Sequence, residues 1–64
     1  MQIRFFVSTN LQSPIETIQA DVIPPIGSLI RFPNGSRAVA TRVQLELPPQ
    51  GQTLQVVDVV VQQQ

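Results

Sequence analysis

Four arginines (Arg4, Arg31, Arg37, Arg42) and four carboxylates (Glu16, Asp21, Glu46, Asp58) are the only charged side chains in this 64-residue chain. Histidine, cysteine, lysine and tyrosine, which do most acid–base and nucleophilic work, are all absent. Serine and threonine remain, but no base sits beside one in a recognisable motif. The three glycines fall in three separate turns, so no glycine-rich phosphate loop can form. The acids are scattered and make no metal cluster, and thiolate sites are excluded by composition. The residues therefore imply neither enzyme, metal site nor cofactor. Two arginines, Arg31 and Arg42, are candidates for holding an anion or an acidic partner, because a planar guanidinium suits carboxylate and phosphate oxygens.

Charge is balanced, with a formal net charge of +0. Nonspecific nucleic-acid binding rests on many Lys/Arg–phosphate contacts, so a neutral chain is a poor vehicle for it. The rival reading is a small nucleic-acid-binding barrel using Arg4, Arg31, Arg37 and Arg42 with one exposed phenylalanine. Phe5 and Phe6 are adjacent, so alternation sends them to opposite faces and leaves one ring as a thin stacking platform. The stretch 1–7 turns polar too soon for a signal peptide, and no apolar run approaches the roughly 20 residues of a membrane span. A cytoplasmic protein without membrane contact is the expectation.

The elements that must position these groups read as strands. Ile3, Phe5 and Val7 alternate with Arg4, Phe6 and Ser8. In residues 15–23, Ile18, Ala20 and Val22 face one way and Thr17, Gln19 and Asp21 the other. A helical turn competes there, because Ser13-Pro14-Ile15-Glu16 has the form of a capping box. β-Branching and the block at Pro24-Pro25 favour a strand. Residues 28–32, 36–47 and 53–61 complete five strands, and Gln62, Gln63 and Gln64 read as a frayed tail. A single domain over 1–61 follows. The expected fold is all-β, a small five-stranded antiparallel barrel or sandwich. Its expected core is Ile3, Phe5, Val7, Ile18, Val22, Ile30, Val39, Val43, Leu45 and Val59.

One turn sets a register. A two-residue Asn34-Gly35 loop pairs Ile30 with Val39 and sorts the faces cleanly, with Ala38, Ala40 and Arg42 on the outer one. A type I turn at Pro33-Asn34, with Gly35 left-handed, sets Arg31 opposite Arg37 instead. The first register is preferred for its cleaner faces. A one-residue slip inverts every side chain.

The segment from Val22 to Val61 resembles small SH3-like β-barrel proteins of bacteria, phages and mobile elements. The resemblance rests on Pro24-Pro25-Ile26-Gly27 opening a strand, on Ile30-Arg31-Phe32, on the Asn34-Gly35 hairpin, and on the long strand 39–43 with the closing valine strand. It implies a fold used for interaction modules, nucleic-acid binders and assembly parts. It also covers a tetrameric dihydrofolate reductase, but Val43-Gln44-Leu45-Glu46 lacks the tyrosine of that enzyme's strand, and nothing from it carries over.

The last strand is apolar on both faces. A phase switch at Val56-Val57 would turn Leu54, Val57, Val59 and Val61 inward and leave Asp58 and Val60 outside; without it, Leu54, Val56, Asp58 and Val60 form a second apolar face interrupted by one acid. A domain this small is marginal without help, and neither disulfide nor metal supplies it. The sequence therefore implies a non-catalytic interaction module that self-associates, most simply as a dimer, through its C-terminal strand. Phe6, Val56, Asp58 and Val60 are the expected contacts, with Arg42 or Arg31 as the partner of Asp58.

Overall fold

A computed structural model describes all 64 residues as five strands: β1 (Gln2–Val7), β2 (Glu16–Gln19), β3 (Leu29–Arg31), β4 (Arg37–Leu45) and β5 (Val56–Gln63). They form one sheet in the order β2-β1-β5-β4-β3, curled into a half-barrel. The sheet is mixed, which corrects the expected antiparallel arrangement: β1 and β5 run parallel, with Ile3 opposite Val57 and Phe5 opposite Val59. No helix is long and apolar enough to cross a membrane.

This topology explains the valine run. β5 is the central strand, with β1 on one side and β4 on the other. A strand buried on both faces reads as continuously apolar, because neither face meets water. Val57, Val59 and Val61 lie on the inner face, where with Ile3, Phe5, Phe32, Ala38 and Ala40 they make the core cluster. The Phe5 and Phe32 rings meet edge to face at 5.5 Å. Val60 is also buried, but on the outer face. The strand continues through Gln63, so Gln62 and Gln63 pair with Val39 and Ala38 where a frayed tail was expected.

Of the two readings of the last strand, the regular one without a phase switch at Val56-Val57 is the one formed; the irregularity lies in β4. The β4–β5 register shifts between Ala40 and Arg42, leaving Thr41 as the extra residue. The Thr41 hydroxyl donates to the Val60 carbonyl at 3.1 Å and closes the irregularity. One consequence is that Ala38, Ala40, Val43 and Leu45 share the inner face, while Arg42 and Gln44 point outward. Ala38 and Ala40 are fully buried, not a shallow floor on the surface.

The hairpin takes the second register: Leu29 opposite Val39, Ile30 opposite Ala38, Arg31 opposite Arg37. A tight Asn34-Gly35 turn needs positive φ at both residues, and only glycines have it here, Gly35 at +89°. Pro33 starts a type I turn instead. Gly35 N–H donates to Phe32 O at 2.9 Å, and the Asn34 carboxamide oxygen accepts from Ser36 N–H and hydroxyl at 2.9 and 2.7 Å.

Residues 16–19 form a strand, not a helical turn. Because β2 and β3 lie at opposite edges, residues 20–28 must cross the inner face to join them. Ala20 and Ile23 pack on the core cluster during that crossing, and Val22, expected in the core, is 76% exposed. Ile18 and Leu45, also expected inside, sit at the ends of the row Ile18–Ile3–Val57–Leu45 and stay exposed. Val7, Val39, Val43 and Ile30 are half-buried.

Candidate interaction surface

The outer face of the three middle strands carries most of the residues singled out from the sequence. Arg4 lies opposite Asp58 across the parallel pair, and Gln44 lies opposite Asp58 on the other side. The Arg4 guanidinium donates through Nε and Nη2 to the two Asp58 oxygens at 2.8 and 2.9 Å. This two-pronged geometry is the strongest form of the arginine–carboxylate contact. Asp58 therefore has its arginine within the chain, and the partner is Arg4 instead of Arg42 or Arg31. The Asp58 hydrogen bond, and then its charge, push the Arg4 guanidinium above its ordinary value, so it stays cationic wherever the protein folds.

Phe6 and Val60 are neighbours in the next row, followed by Arg42. Phe6 is 7% exposed and Val60 4%. The Arg4 Cζ lies 5.5 Å from the Phe6 ring centroid, so its stem and guanidinium cover the ring. With Phe5 and Phe32 in the core, no phenylalanine ring is left free as a stacking platform. Leu11, on the loop after β1, lines with Ser8, Thr41, Arg42 and Val60 an open cleft of about 460 Å³. Val56 is half-buried. Of the expected contact residues, Phe6, Asp58 and Val60 are gathered on one face but already occupied by their own chain. Arg31 stands apart at the β3 edge, directly opposite Arg37, and neither enters an ion pair. Arg42 is exposed beside two hydroxyls with no base or nucleophile pair near it.

The more open surface is a strand edge. β3 pairs with residues 37–39 of β4, and Ser28 and Gly27 extend that ladder to Ala40. From Arg42 to Leu45 no strand lies on the free side of β4, and no turn or loop hydrogen bond reaches its backbone there. Leu45 is 49% exposed at this edge, and Leu47 just beyond it is 80% exposed. Sequence reading did not single out this edge. The shortness of residues 28–32 against 36–47 was the available signal.

No protein family model matches the chain, and neither a curated protein nor a solved structure matches it.

Proposed function

We propose that the chain is a non-catalytic interaction module that works as a homodimer. The observation that carries this is surface. A compact monomer of 7.1 kDa is expected to expose about 4,100 Å², whereas this chain exposes 4620 Å². The excess of roughly 500 Å² is close to what one partner contributes to a small specific interface. Its composition agrees: Leu11, Ile15, Ile18, Val22, Ile26, Leu29, Leu45 and Leu47 are large apolar side chains left in water. The curled sheet is compatible with the small SH3-like barrels that the sequence resembles, a fold in which interaction modules are common. The backbone edges of β5 are both taken, so its C-terminal strand can contribute only side chains such as Val56 to a partner. The absence of histidine, cysteine, lysine and tyrosine supports a non-catalytic role.

Sedimentation equilibrium from low to high micromolar concentration tests the reading. The expected result is a reversible species of twice the 7.1 kDa chain mass. A monomer across the whole range refutes it.

A further inference from the structure

We infer that two copies pair antiparallel along the free side of β4, about a two-fold axis through Gln44, so that the sheets join. The inference rests on the homodimer proposed above and assigns its surface.

The edges of the sheet differ in how well they are guarded. β2 carries Glu16 on the same face as Ile18, and a charge turned toward the apolar side blocks continued pairing. β3 has three residues and sets Arg31 against Arg37, so self-pairing there would gather four guanidinium groups. The remaining edge, residues 42–46, has neither proline nor glycine, no bulge beyond Thr41 and no covering loop. Its sequence, Arg42-Val43-Gln44-Leu45-Glu46, is complementary to itself when reversed. Pairing about Gln44 sets Arg42 opposite the partner's Glu46, Val43 opposite the partner's Leu45, and Gln44 opposite the partner's Gln44. Arg42 and Gln44 lie on the outer face and Val43 and Leu45 on the inner one. Glu46, one residue beyond β4, follows Arg42 and Gln44 in phase. Charges thus meet opposite charges on one side and apolar chains meet apolar chains on the other, the pattern that stabilises cross-strand pairs. Other registers lose one of these matches. A shift of one residue along the edge turns inner-face side chains against outer-face ones. Neither Arg42 nor Glu46 has an ion-pair partner within its own chain. A two-fold contact of this kind closes on itself, and the edges it leaves are the guarded ones at β2 and β3.

Two measurements test it. Because the chain has no cysteine, Gln44→Cys introduces a single thiol on the proposed axis. Residues directly opposite across an antiparallel pair approach closely enough for a disulfide. Oxidised Gln44→Cys is expected to become a covalent dimer, while Gln12→Cys, exposed on the loop after β1, is not. Charge reversal is the second measurement. Arg42→Glu alone, or Glu46→Arg alone, places like charges at both ends and should weaken dimerisation at low salt by at least about tenfold. An equimolar mixture of the two variants restores complementarity and should recover wild-type affinity. If wild type is a dimer by mass but Gln44→Cys gives no covalent dimer, or the mixture does not recover, this interface is wrong while the homodimer stands. If wild type is a monomer throughout, both fall.

Discussion

Replacing Val57 with alanine tests the central placement of β5 against Val22, a position that the sequence reading placed in the core. Val57 has no exposed surface and lies between Ile3 and Leu45 in the inner row. Alanine removes two methyl groups, at about 0.8 kcal/mol each for lost burial. A residual cavity adds about 1 kcal/mol if the neighbours do not close in. Strand propensity adds a few tenths more. The expected loss is about 2–3 kcal/mol, a large part of the stability of so small a domain. For a chain this size, 1 kcal/mol shifts Tm by about 4–8 °C, so a fall of about 10–20 °C is expected. Val22→Ala makes the same chemical change where the side chain is 76% exposed, and should move the melting curve by no more than about 0.5 kcal/mol. Thermal melts followed by circular dichroism, at one fixed concentration, read both variants. Equal shifts for the two would refute the argument, because they would mean that residues 20–28 do not cross the inner face as described.

Gly35→Ala keeps the turn free of steric contact, since nothing lies within 4 Å of an added Cβ, but forces alanine to φ +89°. A loss of about 1–2 kcal/mol in urea unfolding is expected, and an unchanged midpoint would mean that residue 35 does not hold a positive φ in the folded chain. Arg31→Glu turns a like-charged cross-strand pair with Arg37 into an opposite one, and should raise stability by about 0.5–1 kcal/mol at low salt, with the gain shrinking as salt rises. A lower Tm for this variant would contradict the observed hairpin register.

Strand existence was legible because alternation is a local signal. Ile3, Phe5 and the segment around Ile18 declared themselves through period two, and Pro33-Asn34-Gly35 declared a turn. Turn type was misjudged: proline's missing N–H and the need for positive φ favour the type I turn that forms, but the two-residue turn was preferred for its cleaner faces. The register was misjudged because clean sorting of faces was assumed to hold along all of β4. Thr41 breaks that assumption, and one extra residue is what allows Ala38 and Leu45 to share a face. Nothing in the local sequence distinguishes Thr41 from a regular strand residue.

Topology was less legible, because it depends on which distant segments meet. Arg4 and Asp58 are 54 residues apart, and only the parallel pairing of β1 with β5 brings them opposite one another. Seen alone, an apolar strand with one acid looks like an edge needing an outside partner. Placed in the centre, the same residues are satisfied: Asp58 by Arg4, Val60 among Phe6 and the cleft residues. A chain of this size cannot cover every apolar side chain it carries. What the fold changes is where the deficit lies. By spending its two neighbours on β5, it leaves the second half of β4 without a strand, and Leu45 and Leu47 stay uncovered there.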